Sequence, residues 1–172
     1  MALMASSRHE VGGYSYPVAA YLLAPLLALG LQSLLGLHFA FFGLADLPLL
    51  VTIYYGLSKR EPISATLAGS IIGIAQDALT HHPLGVFGIS KAVVGYMAAS
   101  LGVRVDTESH GTRVLLVFGF TLLQTAVLFL LQRHMLGQPY AWHWVHELIR
   151  AVLNALIGVI LFALLDLTRR PE

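Results

Sequence analysis

Six continuous apolar stretches take up most of this chain: Pro17–Leu37, Phe39–Leu57, Ile63–Leu79, Leu84–Val103, Val114–Leu131 and Trp144–Leu167. Each is 17 to 24 residues long, and a helix needs roughly 17–25 residues to cross a hydrocarbon core. The runs are continuous rather than alternating, which argues for helices against a transmembrane barrel. No remaining piece exceeds 16 of the 172 residues, so a folded domain outside the membrane does not fit. The first stretch is long, follows Glu10 as well as Arg8, and is not followed by an A-x-A site, so it is not expected to be a cleaved signal.

Composition agrees. Hydrophobic residues make up 57% and charged residues 11%, less than half the roughly 25% of a soluble domain. A net charge of +1 excludes a basic nucleic-acid binder and an acidic tail protein. With no cysteine, disulfide scaffolds, thiol nucleophiles, zinc ribbons and CxxC redox sites are excluded. The expected class is an all-α polytopic membrane protein. One six-helix domain covers residues 17–167, between tails at 1–16 and 168–172. Gly36 and Gly43 bracket the turn after the first span, and Asp46-Leu47-Pro48 is a point where the second helix could start late.

Cationic residues set the expected orientation. With an even number of spans, Arg8, Lys59, Arg60, Arg104, Arg113, Arg169 and Arg170 share one side, and Arg133 lies alone on the other. The positive-inside rule then places both termini in the cytoplasm.

Small residues mark spans three and four. Ala65, Gly69, Gly73 and Asp77 recur every four residues, and Gly88, Gly95 and Gly102 every seven, with Lys91 and Ala98 between them. Such faces let helix backbones approach closely in lipid, although glycine is common in membrane helices in any case. The loop His81-His82-Pro83 makes the two spans antiparallel neighbours.

Charges inside the spans are costly, each roughly 2.5–3.5 kcal/mol near the bilayer centre on insertion scales. Asp77 and Lys91 both fall in the outer leaflet, on the faces expected to meet, so an Asp77–Lys91 ion pair is expected. Glu147, Arg150, Asn154 and Gly158 form one polar stripe on span six that should face protein. The charges of Asp77, Lys91, Glu147 and Arg150 sum to zero. They read either as a pocket or partner-docking face, or as a neutral network that fixes helix register. Gln32, Asp46 and Asp166 are expected among headgroups and are given no role.

No catalytic residue, cofactor or metal is expected. His143-Trp144-Val145-His146-Glu147 is not HExxH and lacks a third ligand. Trp142 and Trp144 read as an interfacial aromatic belt. There is no nucleophile elbow, phosphate-binding loop or carboxylate pair at matched depth.

The stretch Ala45-Asp46-Leu47-Pro48-Leu49-Leu50, the run from Gly69 to Gln76-Asp77, then Pro83-Leu84-Gly85, and Ser90-Lys91 through Gly95-Tyr96 resemble the MreD family of rod shape-determining proteins. The likeness covers roughly residues 40–105; elsewhere it rests on length and hydropathy. The chain departs from many relatives in Lys91 and in the long Glu147/Arg150 stripe, so their roles rest on the residues alone. The resemblance implies a non-enzymatic subunit of the bacterial cell-elongation machinery in the inner membrane. The implied partners are an MreC-like protein, a RodA-type SEDS glycosyltransferase and a class B penicillin-binding transpeptidase, with MreB filaments indirectly. Short loops leave recognition to helix surfaces in the lipid. MreD-like chains also share their layout with the six-helix S components of energy-coupling-factor vitamin transporters. In that alternative a ligand occupies the outer half, with Tyr14, Tyr16, Trp142 and Trp144 as candidate lining. An open outer cavity would favour it; a core filled by the four charges would not.

Overall fold

The computed structural model describes residues 18–38, 43–105, 107, 109–137 and 142–167. These form six helices and, among the described residues, no strand: α1 (Val18–His38), α2 (Leu47–Lys59), α3 (Pro62–Thr80), α4 (Val86–Gly102), α5 (His110–Leu130) and α6 (Trp144–Asp166). α5 continues into a π turn, Leu131–Met135. Three segments are long and apolar enough to cross a membrane: α3, α5 with its π turn, and α6. The assigned tails, residues 1–16 and 168–172, lie outside the described residues.

The second helix takes the late start that Asp46-Leu47-Pro48 offered, and so is shorter than the apolar span Phe39–Leu57. α2 begins at Leu47 rather than near Phe39, because Asp46 caps it and Pro48 lies in its first turn. Its 13 residues give a length of about 20 Å at 1.5 Å per residue, short of a hydrocarbon core of roughly 30 Å. α2 is nevertheless the axis of the bundle. Every residue from Leu47 to Ser58 is buried, as befits a helix apolar on all sides. Tyr55 stacks on Tyr21 of α1 at 4.1 Å, and Tyr54 meets Phe162 of α6 edge-on at 5.2 Å.

α3 and α4 form the closest hairpin. A Cβ on Gly69 would run into the backbone of Lys91, and one on Gly73 into the backbone of Phe87. One on Gly95 would approach the carbonyl oxygen of Ala65. Each step of four residues down α3 is matched by four up α4, so the helices run antiparallel in fixed register. Gly88 packs on Ile74. Gly102 departs from expectation, because its neighbour is Leu57 of α2 rather than α3. The glycine row of α4 follows one side of that helix, which turns from α3 toward α2 as the three helices cross. Arg60 (φ 56°) and His81 (φ 57°) adopt left-handed conformations that end α2 and α3, and a proline follows each within two residues.

The exterior is apolar and the interior holds the polar groups. Leu22, Leu26, Ile63, Leu67, Ile71, Leu115, Leu156 and Ile160 are among the exposed large side chains, whereas Asp46, Asp77, Lys91, Gln124, Glu147 and Asn154 are buried. The largest apolar patch on a water-soluble monomer is typically about 300–600 Å². Hydroxyls satisfy themselves within their own helices: Thr66, Ser70, Thr121 and Thr125 each donate to the carbonyl four residues back.

Candidate functional site

The buried start of α2 is the centre of the polar interior. Its first amide groups have no partner within the helix, and each finds one elsewhere. Leu47 N donates to Gln32 Oε1 of α1 at 3.0 Å. Pro48 has no N–H, and Leu49 N donates to Asp46 Oδ1 at 2.9 Å. Gln32 Nε2 donates in turn to the Ala45 carbonyl at 2.8 Å. A glutamine from α1 thus brackets the chain on both sides of Asp46.

The other carboxylate oxygen of Asp46 binds two helices. Lys91 Nζ of α4 lies 2.8 Å from Asp46 Oδ2, and Gln124 Nε2 of α5 lies 2.7 Å from the same atom. Lys91 also donates to Gln124 Oε1 at 3.1 Å, which closes a three-residue ring. Asp46 N donates to Asn154 Oδ1 of α6 at 2.9 Å. Asp46, Lys91 and Asn154 are each no more than 1% exposed, so every contact here is shielded from water. The ammonium lies 4.9 Å from the Phe87 ring centroid, close enough for a cation–π contribution.

The expected Asp77–Lys91 ion pair is not formed. Asp77, buried in the last turns of α3, accepts from the backbone N–H groups of Gly85, Phe87 and Gly88 at 2.8–3.3 Å. The short loop folds the start of α4 over the end of α3, so Asp77 serves as a cap borrowed from the neighbouring helix. A carboxylate there also opposes the positive end of the α4 dipole. Lys91 instead extends to Asp46, the residue expected among headgroups. Two other residues given no role are likewise engaged: Gln32 at the bracket above, and Asp166, which accepts from Tyr54 at 2.9 Å and Arg113 at 2.6 Å at the opposite end of the bundle.

On α6, Glu147 accepts from Thr125 of α5 at 3.2 Å and lies 3.9 Å from Arg150. Asn154 joins the Asp46 hub, and Gly158 packs on Val117 of α5. Arg150 reaches a cavity of about 510 Å³ beside the hub, between α1, the end of α3 and the start of α4. Trp142 and Trp144 do not line it; they stack edge-on at 5.1 Å at the start of α6. Tyr14 and Tyr16 lie outside the described residues. This end of the bundle therefore contains both a buried charge network and an open cavity. Among the described residues, no three His, Cys, Asp or Glu side chains are placed to hold a metal ion.

Sequence reasoning missed Asp46, Gln124 and Gln32 as members of the site. A signal for Asp46 was present: Asp-Leu-Pro is a helix start, and it falls inside an apolar run where a carboxylate needs a partner. Gln124 stands in an otherwise apolar run, and a lone amide there needs a partner.

No family model, curated protein or solved structure matches the chain.

Proposed function

We propose that this chain is a non-enzymatic, multi-pass subunit of the bacterial cell-elongation complex in the inner membrane. In this reading it crosses the membrane six times, with both termini cytoplasmic. It holds an MreC-like protein and the associated wall synthases through its helix exterior.

One observation carries this reading. The residues behind the MreD resemblance are the ones that lock the bundle: Asp46 starts α2, Gly69 and Gly73 admit α4, and Asp77 and Gly85 shape its N-terminus. With those groups engaged inside, the surface left for recognition is the exposed apolar side of the helices. In lipid such a surface recognises another transmembrane helix by packing. Removing the chain from a rod-shaped host should round the cells, and supplying it again should restore the rod. Rods that persist without it, under conditions where the elongation machinery is essential, would reject the reading.

The cavity beside the hub favours a second reading, the substrate-binding component of an energy-coupling-factor transporter. Co-isolation of the chain with paired ATPase subunits would support that reading and count against the first.

A further inference from the structure

We propose that the cavity beside Asp46 is a water-filled vestibule that opens at the His81–His82 end of the bundle and admits small hydrophilic solutes to the edge of the buried hub. The inference concerns solvent access and is independent of the partner that the helix exterior holds. It rests on how exposure and polarity change across the residues that line the cavity.

The lining runs from an exposed rim to a buried floor. Gly36, Thr80, His81 and His82 are exposed, whereas Ala45, Asp46 and Gln76 are buried. Gln32 and Ser33 of α1 and Arg150 of α6 are half-buried. The rim is made by helix ends: Thr80 is the last residue of α3, and Gly36 is two residues from the end of α1. Both helices bring their last turns to one cavity, so the mouth stands at an end of the bundle rather than on its flank. The loop residues His81, His82, Pro83 and Leu84 are exposed and not helical. Irregular backbone exposed to lipid does not occur within the hydrocarbon, so this mouth meets water.

The lining also selects what fills the cavity. Phe87 and Leu79 are its large apolar members, and amide, hydroxyl, imidazole, carboxylate and guanidinium groups make up much of the rest. Acyl chains would leave those groups unsolvated, which costs free energy. An arginine within a membrane span faces the bundle interior or a water-filled cavity, and Arg150 lines this one with its side chain 15% exposed. The volume of about 510 Å³ is ample for water, which takes about 30 Å³ per molecule in the liquid. Asp46 is 1% exposed with both carboxylate oxygens engaged, so the vestibule ends at the hub.

The chain has no cysteine, so a single introduced thiol reports on its own surroundings. Ser33→Cys places one in the half-buried wall, and Gly36→Cys places one nearer the rim, where an added Cβ meets nothing within 4 Å. His82→Cys marks the exposed loop. Leu34→Cys, one residue nearer the helix end than Ser33, is the control: Leu34 is 60% exposed and does not line the cavity. The experiment times the reaction of each variant of the full chain, in spheroplasts and in inverted membrane vesicles, with a charged, membrane-impermeant methanethiosulfonate. Ser33→Cys and Gly36→Cys should react within about tenfold of His82→Cys and roughly a hundredfold faster than Leu34→Cys, because an apolar setting raises a thiol's pKa and depletes the thiolate that reacts. Adding Gly36→Trp to Ser33→Cys should slow the reaction about tenfold, since residues three apart on a helix are neighbours. Reaction in spheroplasts is the expected result; reaction in inverted vesicles alone would support the vestibule and overturn the orientation of the chain. The proposal is overturned if Ser33→Cys and Gly36→Cys are as slow as Leu34→Cys, if Leu34→Cys is as fast as they are, or if Gly36→Trp leaves the rate at Ser33→Cys unchanged.

Discussion

Lys91 of α4 reaches across the bundle to Asp46, 45 positions earlier in the chain, and holds its carboxylate at 2.8 Å with both side chains buried. The pair ties the start of the central helix to α4, and Gln124 and Asn154 extend the tie to α5 and α6. Asp77 belongs to a separate arrangement that ends α3 and begins α4.

Coupling between charges should follow this division. Asp46→Asn or Lys91→Met alone strands a buried charge, which costs about 3–5 kcal/mol in soluble cores and less where the survivor can neutralise or snorkel. The double replacement should recover part of the loss. Asp77→Asn combined with Lys91→Met should be nearly additive, because Asp77 serves backbone amides. Detergent stability of the three single and two double variants checks both cycles; strong coupling between Asp77 and Lys91 would contradict the geometry.

Glycines should divide by what a Cβ meets. Gly69→Ala and Gly73→Ala drive a methyl into backbone of α4; overpacking typically costs about 1–3 kcal/mol, and rigid backbone puts these at the upper end. Gly30→Ala and Gly119→Ala meet open space and should be neutral or slightly stabilising. Expression level and Tm in detergent give the comparison.

At the other end of the bundle, Tyr54→Phe removes one hydrogen bond to Asp166 and should cost about 0.5–1.5 kcal/mol. Asp166→Asn should cost more, because it also removes the charge facing buried Arg113. Equal losses of thermal stability in the two variants would show that the Arg113 contact contributes nothing.

Replacing His143 and His146 together by Ala should leave cell shape and protein level unchanged. His143 flanks the start of α6, and His146 is an exposed neighbour of Glu147. Lost function at normal membrane levels would reopen a metal or proton-transfer role.

Topology can be read with reporter fusions. Fusions at Gly111 and at the C-terminus should report the cytoplasm, and one at Gly137 the opposite side. A C-terminus on the outer side would overturn the orientation.

The sequence made the helical class and the apolar runs plain, because hydropathy depends on local composition. The small-residue rows of α3 and α4 were also visible as spacing, and the structure sets Gly69, Gly73 and Gly95 against the facing backbone. The partner of Lys91 was not visible. Depth along a helix is readable from residue counts, but direction around it and the reach of a lysine stem depend on where neighbouring helices stand. Asp77 and Asp46 both lay within plausible reach. The choice between them turns on the fold of the His81–Gly85 loop, which brings three backbone donors around the start of α4 onto Asp77 and leaves Lys91 to Asp46. Gly102 was misplaced for a related reason, since a straight row of glycines does not show which helix each one meets.

The most direct measurement is isolation of the full chain in mild detergent from its own cells, with the co-isolated proteins identified. Recovery of the cell's MreC-like protein, lost when bulky polar residues replace Leu156 and Ile160 on the exposed side of α6, is the expected result. Recovery of paired transporter ATPases instead, with the MreC-like protein absent and cell shape unaffected by removal of the chain, would contradict the proposed function.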